Sequence, residues 1–158
     1  MVPAQVDPDG AALRALRSAG LRVTIPRRAM LTWLAEHPHS TADAIGAGVR
    51  AQSISVSTQA VYDMLAVCTG AGLLRRIEPA GHPARYERRV RDNHHHLVCR
   101  RCGRTEDVDC VIGARPCLTP ADDLGFLVDE AEVVFWGVCP GCKSVGTSVD
   151  GTSDDAEG

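Results

Sequence analysis

The chain has few aromatic residues and no long apolar run. Phe, Trp and Tyr make up 4% of its 158 residues, so a core must be assembled mainly from Leu, Val, Ala and Ile, a modest apolar payload for this length. No hydrophobic stretch approaches the roughly 20 residues needed to cross a bilayer, and the N-terminus lacks the apolar segment of a secretory leader. A cytoplasmic protein without membrane contact is expected. A composition of 44% hydrophobic and 23% charged residues excludes a fibre or a disordered chain and fits one or two small soluble domains.

The net charge of −3 hides an asymmetry. Residues 1–91 carry 12 Arg against 7 Asp and Glu, a balance of +5, whereas residues 92–158 carry 5 Lys and Arg against 13 acidic residues, a balance of −8. A basic module suited to a polyanion is followed by an acidic module with another task.

Seven Cys in a chain expected in a reducing compartment point to metal or redox chemistry rather than to a disulfide framework. Six of them follow residue 98, and four form two pairs, Cys99-Arg-Arg-Cys102 and Cys139-Pro-Gly-Cys142. A two-residue spacer lets two thiolates grip one tetrahedral ion, so the two pairs together supply the closed four-thiolate shell of a structural Zn²⁺ site. Paired redox thiols are the competing reading. The 36 residues between the pairs exceed the spacing of a compact zinc ribbon, so the ion would tie the start of a small folded unit to its end.

The basic part reads as four short amphipathic helices and a hairpin. Leu13 and Leu16 share a face before Gly20, a stop signal. Thr24 caps a second helix with Pro26 in its first turn and Met30, Trp33 and Leu34 facing inward. Ala42, Ile45 and Val49 mark a third. Val61, Met64, Leu65 and Cys68 recur at helical spacing in a fourth, which places Cys68 in the core. Residues 73–77 and 84–89 are strand candidates joined by a Pro- and Gly-rich tip. The pattern is that of a winged helix-turn-helix in which the fourth helix enters the DNA major groove. Ser57, Thr58, Gln59 and Tyr62 would meet bases and phosphates, and Arg75, Arg76, Arg85 and Arg88 of the wing would neutralise the backbone. A polar-faced helical domain with no nucleic-acid partner is the plainer alternative.

The acidic part opens with a strand candidate, residues 93–99, ending in the first Cys pair. Alternation puts His94, His96 and Val98 on one side and His95, Leu97 and Cys99 on the other. Two imidazoles facing away from Cys99, with Glu87 upstream and Asp107 downstream, make a second metal site plausible. A nitrogen and oxygen shell without thiolate suits Fe²⁺ or Mn²⁺, and Zn²⁺ also accepts it. An exposed polar strand is the alternative.

Residues 10–143 resemble the ferric uptake regulator (Fur) family of metal-dependent bacterial repressors, and within it an actinobacterial branch of redox-responsive repressors of catalase-peroxidase genes. The resemblance rests on Ser57-Thr58-Gln59-Ala60-Val61-Tyr62, on His94-His95-His96-Leu97-Val98-Cys99-Arg100-Arg101-Cys102-Gly103, and on Gly125-Phe126 leading to Phe135-Trp136-Gly137-Val138-Cys139-Pro140-Gly141-Cys142. It implies an α+β chain with a winged-helix DNA-binding domain over 1–91, a small zinc-stabilised α/β dimerisation domain over 92–143, and a disordered acidic tail over 144–158. It also implies a homodimer on two-fold-related operator DNA, structural Zn²⁺ on Cys99, Cys102, Cys139 and Cys142, and a regulatory ion on His39, Glu87, His94, His96 and Asp107, with His37 competing for the place of His39. Because that ion takes ligands from both domains, metal binding and DNA binding share one conformational equilibrium.

The chain departs from the family pattern at several positions. Asp63 follows Tyr62 where the family carries Arg, removing one phosphate contact. Asn93, Ala114 and Ala131 stand where a further metal site of some members has ligands, so that site is expected to be absent. Cys110 and Cys117 belong to neither Cys pair and read as core thiols, redox-active residues or spare zinc ligands. The branch resemblance favours redox sensing, by peroxide acting on bound iron or by thiol oxidation, with sensing of iron occupancy as the alternative. A zinc-dependent hydrolase or thiol oxidoreductase is disfavoured, since four thiolates leave no open coordination position.

Overall fold

Helix capping sets the order of the N-terminal half in this computed structural model, which describes residues 7–88, 94–109, 117–128 and 131–144. Asn93, Cys110, Ala114 and residues 145–158, the greater part of the expected tail, lie outside them. The chain divides into two units, Met1–Asp92 and Asn93–Gly158.

In the first unit, helix α1 (Pro8–Ser18) is capped by Asp7 and α2 (Ile25–Glu36) by Thr24, whose hydroxyl accepts the Arg27 N–H. Strand β1 (Ser40–Thr41) runs directly into α3 (Ala42–Ala51), capped by Thr41, and α4 (Thr58–Gly70) is capped by Ser57. Gly20 and Gly72 adopt φ of +68° just beyond α1 and α4, where an L side chain would be strained. Strands β2 (Arg75–Ile77) and β3 (Arg85–Glu87) form the wing, and β1 adds to it in the antiparallel order β1-β3-β2.

The core follows the expected periods. Val61, Met64, Leu65 and Cys68 are all buried, as are Met30, Leu34, Ala42, Ile45 and Val49. Burial pushes the Cys68 thiol pKa up, with partial opposition from Arg27. In α1 the fully buried pair is Ala12 and Leu16, while Leu13 is half-buried. Ala12 and Leu16 belong to the same core as Met30 and Leu34 of α2, and Trp33 lies at its edge. With Leu31, Leu65 and Val49 also completely enclosed, each such side chain contributes about 1.5–3 kcal/mol by leaving water.

The second unit is a three-stranded sheet with β4 (His94–Cys99) between β5 (Thr105–Asp109) and β6 (Val134–Gly137). The β4–β5 pair is antiparallel and sets His96 opposite Asp107; the β4–β6 pair is parallel and sets Leu97 opposite Phe135. A single turn of helix, α5 (Pro140–Ser144), follows and includes Ser144. Among the described residues no helix is long and apolar enough to cross a membrane.

Candidate metal centres and nucleic-acid interface

Chain reversal places two distant segments of the second unit together. Cys99 ends β4, Cys102 sits in the turn that follows, Cys139 follows β6 and Cys142 lies in α5; their four sulfurs lie within 4.8 Å of one another. The Cys102 and Cys139 sulfurs are 3.7 Å apart, and the Cys139 N–H donates to Cys99 Sγ at 3.4 Å. The thiols divide their protons unequally. The Cys139 backbone N–H first, then that of Cys102, draws Cys99 down to about 6, whereas hydrogen bonds with the Cys102 and then the Cys139 side chain push Cys142 up to about 12. Four convergent thiols fit a tetrahedral ion with a preference for sulfur and leave no open position. Zinc loading at neutral pH should therefore release protons from the thiols as they become thiolates; titration of the metal-free protein in weak buffer reads the number directly.

Nitrogen and oxygen donors gather in each unit. In the first, His39 precedes β1 with a φ of +58°, a left-handed conformation that few non-Gly residues adopt. Its Nε2 lies 2.9 Å from Glu87 Oε2 on β3, and both side chains are buried. The Arg75 guanidinium stands 4.0 Å from the other carboxylate oxygen, and Arg85 donates to the His39 carbonyl at 2.8 Å. His37 is engaged elsewhere. Its ring stacks on Trp33 at 4.2 Å, and its Nδ1 lies 3.0 Å from the Trp33 carbonyl. In the second unit, the Nε2 atoms of His94 and His96 lie 3.5 and 3.6 Å from Asp107 Oδ1. His95 faces differently: its Nε2 is 3.4 Å from Cys117 Sγ and its ring meets Phe135 edge-on. Cys117 is thus a buried thiol beside an imidazole and is not a member of the four-thiol group.

On α4, Ser57, Thr58, Gln59 and Tyr62 are exposed. The Ser57 hydroxyl accepts the Ala60 N–H at 3.1 Å as the helix cap, and Gln59 donates to Asp63 at 2.9 Å. Tyr62, Asp63, Arg76 and Tyr86 line one cleft of about 610 Å³, so helix and wing share a concave surface. The four wing arginines differ. Arg76 is exposed and pairs with Glu78 at 2.7 Å, and Arg75 lies beside Glu87. Arg85 and Arg88 donate to the backbone carbonyls of His39 and Leu31, the latter at 3.0 Å, and burial lowers the Arg88 pKa. Their guanidiniums are occupied within the unit, a role that sequence pattern alone could not distinguish from a phosphate contact.

A winged helix-turn-helix followed by a small sheet with a four-thiol cluster defines a metal-responsive transcriptional regulator. Residues 18–117 match the family model described as the Ferric uptake regulator family. Transcriptional regulator FurA of Mycobacterium tuberculosis (strain ATCC 25618 / H37Rv) is 56% identical over 133 residues, which cover 84% of this chain and 90% of that protein. Peroxide-responsive repressor PerR of Staphylococcus epidermidis (strain ATCC 12228 / FDA PCI 1200) is 28% identical over 140 residues, 85% of this chain and 89% of that one. The structure of the ferric uptake regulator from Pseudomonas aeruginosa with manganese superposes with a TM-score of 0.60 at 27% identity, covering 82% of this chain and 98% of that one. The chain belongs to the Ferric uptake regulator family. This family and these relatives are transcriptional regulators, which removes the hydrolase and the oxidoreductase from consideration.

Proposed function

We propose that the chain is a cytoplasmic, homodimeric repressor that binds two-fold-related operator DNA when a regulatory ion is held and releases it on oxidative stress, with peroxide-defence or catalase-peroxidase genes as targets. The observation that carries this reading is the chemical separation of donors: sulfur alone at Cys99, Cys102, Cys139 and Cys142, nitrogen and oxygen alone at His39, Glu87, His94, His96 and Asp107. Zn²⁺ fits the first set. Fe²⁺ or Mn²⁺ suits the second, and one ion taking ligands from both sets of histidines and carboxylates would link its own binding to the arrangement of the DNA readers.

Peroxide sensing draws support from the likeness to the repressor PerR and from imidazoles in the regulatory set. Iron bound there supplies one-electron chemistry with hydrogen peroxide. His39 and His94 are the ligands that would be oxidised, and an oxidised imidazole no longer holds metal. A sensor of iron occupancy alone would use the same ligands without altering them. Metal analysis and operator binding before and after peroxide separate the two. Loss of operator affinity with one added oxygen on a ligand His supports the peroxide sensor, whereas affinity that returns fully when Fe²⁺ is resupplied supports the iron sensor.

On the DNA side, Tyr62→Ala should weaken operator binding more than binding to random duplex, because it removes contact at the base edges. Arg76→Ala should weaken both and flatten the salt dependence by about one counterion. Fluorescence anisotropy on both duplexes over a salt series measures these effects.

A further inference from the structure

We propose that Arg100 and Arg101, the two residues between the first pair of thiols, are positioning residues that fasten the second Cys pair to the first and thereby retain the structural ion. The inference rests on reading the four thiols as a zinc site. It concerns what this chain adds to them.

The spacer of a Cys-x-x-Cys pair needs only to bring two sulfurs to one ion, and most side chains would serve. Here Arg101 reaches across to the other pair and Arg100 to the end of β6 just before it. The Arg101 guanidinium donates to the Cys142 carbonyl at 3.0 Å. Cys142 lies in α5, five residues long, and the last carbonyls of so short a helix have no partner within it. Ser144 Oγ donates to the Pro140 and Gly141 carbonyls at 3.4 and 2.9 Å, and Arg101 serves that of Cys142 from 41 positions upstream. A cation at a helix C-terminus also complements its dipole. Arg100 acts on the near side of Cys139. Its backbone N–H donates to the Gly137 carbonyl at 2.9 Å and its guanidinium carbon stands 5.2 Å above the centre of the Trp136 ring. The second pair is thus held before Cys139 and again at Cys142.

This fastening matters for metal retention. A tetrathiolate ion departs by losing its ligands one at a time, and each lost thiolate either returns or drifts away. The pairing of β6 with β4 brings Cys139 toward the first pair, but it ends at Gly137 and leaves the pair itself to be held by other contacts. Contacts independent of the metal keep a detached thiolate at high effective concentration and favour its return. Four thiolates around a dication also leave two negative charges, which the guanidiniums partly offset.

The test uses the zinc-loaded full-length protein challenged with excess EDTA, following zinc loss by a colorimetric indicator and checking starting stoichiometry and dimer mass. Arg101→Ala should load normally and release zinc about tenfold faster, Arg100→Ala should show a smaller acceleration, and the double substitution should exceed either. Arg101→Lys retains a cationic donor and should fall between Ala and wild type. Cys142→Ser is the control for the site itself: full zinc content with the wild-type release rate would overturn the four-thiol reading. If Cys142→Ser loses zinc while Arg101→Ala and the double variant release it at the wild-type rate, the zinc site stands and the positioning role of the arginines is overturned.

Discussion

Cys139→Ser should leave the second unit unable to hold its fold. The segment that brings Cys139 and Cys142 to Cys99 and Cys102 offers little apolar burial of its own: among the described residues Phe135 is 46% exposed and Leu97 47% exposed. A structural Zn²⁺ supplies on the order of 10 kcal/mol of apparent binding free energy, which in such small units is folding free energy. Loss of the zinc stoichiometry, of the dimer and of the high-temperature part of the melting curve is therefore expected together, while the first unit, with its independent core around Leu16, Met30, Leu34 and Leu65, should keep its helical circular dichroism. A variant that melts and dimerises like wild type would contradict the assignment. Cys117→Ser, which touches a thiol outside the four-sulfur group, should retain zinc.

The second large effect is expected from His96→Ala. Its imidazole sits on the strand face that His94 shares and that turns toward Asp107, away from the sulfur of Cys99. Substitution should spare zinc and the dimer yet lower affinity for Fe²⁺ or Mn²⁺ by at least about tenfold to a hundredfold, the range lost even when only an outer partner of a ligand is removed. Operator affinity should then lose its metal-dependent component, about five- to 150-fold for a coupling of ordinary size. Glu87→Ala and Asp107→Ala should behave alike, and His95→Ala, which faces Cys117, should disturb the switch less. Anaerobic operator titrations with and without added Fe²⁺, beside zinc analysis, check all four. If His95→Ala abolishes the metal response while His96→Ala loses zinc, the facing of the strand has been assigned the wrong way round.

What could be read from the sequence depended on how local each signal was. The period of Val61, Met64, Leu65 and Cys68 identifies α4 because one helical face carries all four, and the Cys-x-x-Cys spacings identify the thiol group because reach alone constrains them. Where several side chains could do the same work, pattern was insufficient. His37 and His39 are chemically identical and two residues apart; the left-handed backbone at His39 and the stacking of His37 on Trp33 are differences that only the folded chain displays. Arg85 and Arg88 look like any other wing arginine until their carbonyl partners are known. Strand β1, two residues long, is below the length at which alternation carries information, yet it pairs with β3, the strand that holds Glu87. Asp63, read as the loss of a phosphate contact, also accepts a hydrogen bond from Gln59, a relation that appears only when the helix is built.

Strand β4 carries His94 and His96 along its length and Cys99 at its end. At roughly 3.3 Å per residue, about 10 Å of backbone separates the last imidazole from the first thiolate, and both neighbouring strands take their register from that same short rod. Coupling between the two proposed metals must then be reciprocal: each ion that steadies the rod raises the affinity for the other by the same factor. Zinc depletion should accordingly weaken binding at the histidines as well, and with it the metal-dependent part of DNA binding.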